Sequence, residues 1–202
     1  MRSTIEKLRV KLSFAAILLF LLLFSYTGIG WDAHAPAFAL ILFVIGLFLV
    51  AVASLGRMWC SLYIAGYKND KLVTKGPYSI CRNPLYFFSM LGVAGIGLAT
   101  ETITFTLVLL AIFGLYYPFV IRHEDKRLSS RFGEDYARYR AEVPAFLPRL
   151  SNLTEPVEYV VKPVIYKRHI FSALWFIWIV GLLELIEGLK ELGVVTPLWT
   201  LY

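Results

Sequence analysis

Apolar residues in this chain fall in long unbroken runs, not at the alternating or three-to-four-residue spacing that buries one face of a soluble element. The runs extend from Val10 to about Gly30, Pro36 to about Gly56, Pro84 to about Thr100, Thr102 to about Ile121, and Ile170 to about Leu189, the last interrupted by Glu184 and Glu187. A helix needs roughly 20 apolar residues to cross the hydrocarbon core of a bilayer. The pattern therefore predicts an all-α polytopic helical bundle with about five transmembrane helices. Pro36 suits a first helical turn, where its missing N–H costs nothing. Ala33-His34-Ala35 imitates a signal-peptide cleavage site, but the first run exceeds the usual apolar segment of about 7–15 residues, so it reads as a retained helix.

Runs three and four are separated only by Thr100-Glu101-Thr102, which demands a tight helical hairpin. Segments 70–86 and 122–149 then leave the membrane side by side. Beyond the fourth run, Glu124, Asp125, Leu128, Phe132, Tyr136 and Tyr139 recur at helical spacing. The fourth helix is expected to continue out of the membrane as an amphipathic helix, broken near Gly133 and ended by Pro144 and Pro148. Residues 151–169 read as an interfacial linker carrying Tyr159 and Tyr166. Gly92, Gly95 and Gly97 lie within an apolar run, where small residues permit close helix packing.

Composition agrees. The chain of 202 residues is 58% hydrophobic and 17% charged, against roughly 45–50% and 25% for a soluble domain. Its formal charge is +6 and its pI about 9.3. Those basic residues do not form a nucleic-acid footprint. Nineteen of the twenty fall at the N-terminus, in 57–83 or in 122–169, and Lys190 alone falls elsewhere. With five spans these three segments share one side, which the positive-inside rule makes the cytoplasm, N-terminus included. Cys60 and Cys81 form no Cys-x-x-Cys pair, so no metal site is expected and both read as free thiols.

The chemistry concentrates in KLVTKGPYSICRNPLY, residues 71–86, and RHEDKRLSSRFGEDYARYRAEVPAFLP, residues 122–148. Together they make a site with a cationic rim, one acidic point, an apolar floor and a mouth open to the bilayer. Such a site suits a zwitterionic cofactor meeting an amphipathic substrate.

At these residues, from Leu72 to Leu150, the chain resembles the superfamily of integral membrane methyltransferases that includes the isoprenylcysteine carboxyl and phospholipid methyltransferases. The resemblance rests on Gly76-Pro77-Tyr78, Arg82-Asn83-Pro84-Leu85-Tyr86, the hairpin, Glu124-Asp125, Phe132-Gly133-Glu134-Asp135-Tyr136, and Val143-Pro144 to Pro148. Asn83 stands where that superfamily often has His. The resemblance implies S-adenosylmethionine as cofactor, lined by Lys71, Leu72, Val73 and Tyr78 and cradled by Asn83, Pro84, Leu85 and Tyr86. Glu124 would hold its ammonium group, since a buried ammonium needs a paired carboxylate. Arg82 would bind the cofactor carboxylate or a substrate anion bidentately; with Glu124 it forms the implied catalytic pair, and Arg122 is placed on the substrate side.

The implied reaction is methyl transfer to a lipid-like or prenylated acceptor, through a carboxylate, amine or thiol, entering from the lipid bilayer. No catalytic base is assigned. His123 lies nearest, and His34 and His169 read as surface residues. The expected organisation is one membrane domain, with an N-terminal hairpin over 1–56, a methyltransferase core over 57–150, and a linker plus last helix over 151–202. Two other readings stay open at this stage. One is an NADPH-dependent membrane reductase related to the sterol reductases; the other is a non-catalytic scaffold, suggested by Asn83.

Overall fold

A computed structural model describes residues 4–31, 34–67 and 70–202, with side chains from Phe14 onward. Arg2, Ala33 and Lys68, used in the sequence argument, lie outside the described residues, as do the side chains of Lys7, Arg9 and Lys11. The chain is a helical bundle: α1 (Thr4–Ser25), α2 (Pro36–Ile64), the short α3 (Pro77–Ile80), α4 (Pro84–Leu98), α5 (Ile103–Glu142), α6 (Pro163–Ala173) and α7 (Trp175–Glu191). Among the described residues, α2, α5 and the nearly continuous α6–α7 stretch, Pro163–Glu191, are long and apolar enough to cross a membrane, while Phe14–Ser25 and Pro84–Leu98 are shorter apolar helices. The five apolar runs are thus five apolar helical segments. Large side chains such as Leu40, Phe48, Leu107, Leu115, Phe119 and Trp178 are exposed on their outer faces. In an aqueous domain that much exposed apolar surface would be a liability; facing lipid it is the expected solvent contact.

The helices meet where small residues let their backbones approach. A Cβ on Gly95 would lie 2.7 Å from the Gly46 carbonyl oxygen, and one on Gly46 would lie 2.6 Å from the Gly95 carbonyl oxygen. This reciprocal contact joins α2 and α4, as expected for small residues in membrane helices. A Cβ on Gly92 would run into Phe176 of α7, and one on Gly97 into Thr106 of α5. Beside these contacts, Phe24, Val50, Ile96, Phe105, Ile179, Val180 and Leu183 build the main apolar core.

The α4–α5 hairpin is as tight as its sequence demands. Thr100 donates its hydroxyl to Gly97, Thr100 and Thr102 hydroxyls lie 2.9 Å apart, and Glu101 takes a φ of 58°. Thr102 accepts from the Phe105 amide and caps α5.

Three boundaries differ from the sequence reading. α2 runs on past Gly56 to Ile64, because Cys60 and Tyr63 pack into a second apolar cluster with Tyr78. The last helix starts earlier than Ile170, so residues 163–169 are helical rather than linker. The first run ends as a helix at Ser25, not near Gly30. Thr27–Ile29 instead forms a strand, β1, paired in parallel with β2 (Trp199–Leu201). This two-stranded sheet, the α4–α5 turn and Tyr202, whose carbonyl accepts from Thr104, gather at one end of the bundle. Residues 57–67, 70–83 and 122–169 gather at the other.

Candidate functional site

Each wall of the site follows from a local feature. Gly133, at φ 51° and ψ −121°, breaks α5, a conformation that glycine adopts without steric cost. The last turns of α5 therefore fold back upon the helix. Tyr136, fully buried, donates its hydroxyl to Asp125, and the Tyr139 hydroxyl donates to the Tyr78 carbonyl at 2.6 Å. The segment after α5 is stitched to the 76–84 loop. The Arg82 amide donates to the Pro144 carbonyl at 2.8 Å, Asn83 Nδ2 to the Ala145 carbonyl at 2.9 Å, and the Arg149 amide to the Ile80 carbonyl at 2.9 Å. The linker is tied to the end of α2, where the Tyr159 hydroxyl donates to the Tyr63 carbonyl at 2.8 Å.

Inside these walls lies a cavity of about 930 Å³, counting its open mouth. Lys71, Leu72, Val73, Tyr78, Arg82, Asn83, Pro84, Leu85, Tyr86 and Glu124 all line it. Of the expected site residues, Arg122 alone does not, and it is exposed. The reason is helical phase. Glu124, Arg127 and Leu128 share one face of α5 at spacings of three and four, and Arg122 sits two residues before Glu124, about 200° around the helix. His123 is exposed as well.

Sequence reasoning missed five contributors: Arg57 and Ile64 of α2, Arg127 and Leu128 of α5, and Tyr139 beyond its kink. It also placed His169 at the surface, whereas α6 turns it toward the cavity. No motif surrounds His169; only the helical start at Pro163, unseen in the sequence, fixes its phase.

The charges are arranged in pairs that leave donors over. Arg82 Nη1 lies 3.5 Å from the Asp125 carboxylate and 3.3 Å from the Tyr136 hydroxyl. Glu124 pairs with Arg127 one turn on. Asp125 thus anchors Arg82 from behind, while Glu124 is the carboxylate that lines the cavity. Burial chiefly, and then the hydrogen bond to Asp125, push the Tyr136 hydroxyl up to about 12. Burial likewise raises Tyr78 well above the ordinary phenol value and pushes the Cys81 thiol up to about 12. At neutral pH Tyr78 is therefore a donor, not a base. Among the described residues, no cluster of three or more His, Cys, Asp and Glu is arranged to hold a metal ion.

A family model for phospholipid methyltransferases matches residues 33–135. The match takes in α2, which the sequence resemblance had left out, and ends before the Val143–Pro148 segment. The cobalt-zinc-cadmium resistance protein CzcN of Cupriavidus metallidurans is 42% identical over 161 residues, covering 80% of this chain and 74% of its own. The nickel-cobalt-cadmium resistance protein NccN of Alcaligenes xylosoxydans xylosoxydans is 43% identical over 159 residues, covering 78% of this chain and 72% of its own. No solved structure matches.

Proposed function

Since this chain belongs to the phospholipid methyltransferase family, we propose that it is an S-adenosylmethionine-dependent methyltransferase acting at the membrane on an amphipathic acceptor. The observation that carries this reading is the single cavity that gathers both halves of the family pattern, 71–86 and the Glu124 face of α5, across the α4–α5 hairpin. The cofactor, when bound, supplies an electrophilic methyl group together with its own leaving group. The protein is left with alignment and desolvation.

The residues present fit such a group. Glu124 is the carboxylate lining the cavity and would hold an ammonium group, exchanging part of its contact with Arg127. Tyr78, whose buried hydroxyl has no hydrogen-bond partner, would donate to a ring nitrogen or hydroxyl of the cofactor. Leu72, Val73, Pro84 and Leu85 supply apolar walls. Arg82 is held by Asp125 and Tyr136 and shapes the floor. Asn83 has its amide nitrogen engaged by Ala145, so it fastens the 143–148 segment to the 76–84 loop. That role needs no histidine.

The cavity opens at the end of the bundle that carries residues 57–83 and 122–169, where most of the basic residues lie, and we place that end in the cytoplasm. The relatives named for cobalt, zinc, cadmium and nickel resistance suggest that the methylated product serves cells under metal stress.

Calorimetric titration of S-adenosylhomocysteine into detergent-purified protein tests the reading. Wild-type protein is expected to bind at about micromolar concentration and Glu124→Gln at least about tenfold more weakly, the loss of one charge-assisted contact. Folded wild-type protein that binds none would overturn it.

A further inference from the structure

Five buried side-chain polar atoms lack a hydrogen-bond partner among the described residues, and four of them belong to residues lining the one cavity. They are Nε of Arg57, Arg82 and Arg127 and the hydroxyl of Tyr78. All four are donors. Buried donors are seldom left unsatisfied in a folded protein, and four of them on residues that line this cavity make its surroundings rich in donors and short of acceptors.

Charge points the same way. Arg57, Lys71, Arg82 and Arg127 line the cavity and Glu124 is the carboxylate among the lining residues, with Asp125 compensating Arg82 from behind. Binding a sulfonium cofactor, itself net positive, enlarges the surplus. At the edge of a low-dielectric membrane such an excess calls for an anion.

Arg57 is the residue best placed to receive it. It is the twenty-second residue of α2, so at 1.5 Å per residue it stands roughly 32 Å from Pro36. That is about the thickness of the hydrocarbon core, so Arg57 reaches the cavity from the membrane boundary. Its partners are all neutral. One Nη donates to Ser89 of α4, the other to Ser172 of α6 at 3.3 Å, and the guanidinium lies 5.5 Å from the centre of the Phe176 ring of α7. Among the described residues it forms no ion pair. Two hydroxyls and a ring orient the fork but leave its charge uncompensated.

We propose that Arg57 is the specificity-determining residue for the methyl acceptor, and that the acceptor bears an oxyanion, a phosphate or carboxylate, which this guanidinium holds at the membrane boundary. The inference rests on the methyltransferase reading for its reaction but not for its binding site. His169, Ser172 and Phe176 belong to α6 and α7, beyond the stretch matched by the family model. Of the three groups that orient Arg57, Ser89 lies within that stretch, and Ser172 and Phe176 are added from beyond it.

Single-chain amphiphiles test it. Dodecyl phosphate, dodecylamine and inorganic phosphate are titrated separately into protein in an uncharged maltoside detergent, with S-adenosylhomocysteine as a parallel titration. Dodecyl phosphate is expected to bind at least about tenfold more tightly than dodecylamine, the scale of one charge-assisted contact. Arg57→Gln is expected to remove that preference. Arg57→Lys, which keeps the charge and loses the fork, should retain part of it.

Equal binding of the phosphate and the amine by wild-type protein overturns the inference without recourse to any variant, as does a preference that survives in folded Arg57→Gln. Inorganic phosphate binding as tightly as dodecyl phosphate assigns the subsite to a free oxyanion; tighter binding of dodecyl phosphate assigns it to a lipid-borne one. If S-adenosylhomocysteine fails to bind while dodecyl phosphate shows its preference, the cofactor reading falls and the anion subsite stands.

Discussion

Tyr136 shows how one side chain joins two parts of the site. Its hydroxyl reaches Asp125 eleven residues earlier and also lies 3.3 Å from Arg82. Tyr136→Phe leaves Asp125 and Arg82 short of a buried partner, and is expected to cost about 1–3 kcal/mol of stability. The pH dependence follows from the raised ionisation of this phenol, moved from 10.0 to about 12. Between those values the unfolded chain releases the Tyr136 proton while the folded chain keeps it. Its stabilisation is thus complete below about pH 10 and is lost as pH rises toward 12. Thermal unfolding followed from pH 8 to pH 12 should show wild-type protein losing its advantage over Tyr136→Phe across that interval. A constant difference would mean that the hydroxyl contributes no proton-linked stability. Residue roles were partly legible in the sequence. Glu124 stood out, beside Asp125, through its place in the family pattern. Arg122 looked equivalent because sequence distance conceals helical phase.

At the level of elements, the apolar runs announced their helices because a bilayer tolerates few other solutions for twenty consecutive apolar residues. The ends were harder to read. α2 passes its apparent limit at Gly56 because Arg57 enters a cavity instead of water, and charge alone does not tell those apart. β1 and β2 are three residues each, too short for an alternating pattern to register, and their pairing is set by the helices that deliver them. The break at Gly133, by contrast, was marked by its residue type. A Cβ there would meet nothing within 4 Å, so Gly133→Ala acts through backbone strain alone, about 1–3 kcal/mol in so unfavourable a region. The variant should favour a straight α5 and draw Tyr136 and Tyr139 from their partners. We expect a lower melting temperature and weaker binding of S-adenosylhomocysteine; unchanged binding would separate the kink from the cavity.

For the whole molecule, the helices sort the loops into two ends, one with the cavity and one with the small sheet. Orientation in the membrane can be read by cysteine labelling, because Cys60 and Cys81 are buried and contribute little background. Ser129→Cys lies at the cavity end and Leu192→Cys at the sheet end, both at exposed positions. An impermeant maleimide added to intact cells should label Leu192→Cys and spare Ser129→Cys, and inverted vesicles should reverse the result. The opposite pattern would put the cavity outside the cytoplasm. That the loops divide this way was legible from the distribution of Lys and Arg; that α6 would bring His169 to the cavity was not, since it depends on packing between distant parts of the chain.

The parallel pairing of β1 with β2 also bears on biogenesis. Trp199 donates its indole N–H to the Thr27 hydroxyl, 172 positions earlier in the chain. A ribosome adding about 5–20 residues per second takes roughly ten to thirty seconds to cover that distance. For that interval α1 waits in the bilayer without the strand that will clasp its end, and α7 is still unmade. The clasp is therefore among the last contacts to form in synthesis: a nascent chain halted before Trp199 has all of its cavity-lining residues but an unfastened first helix.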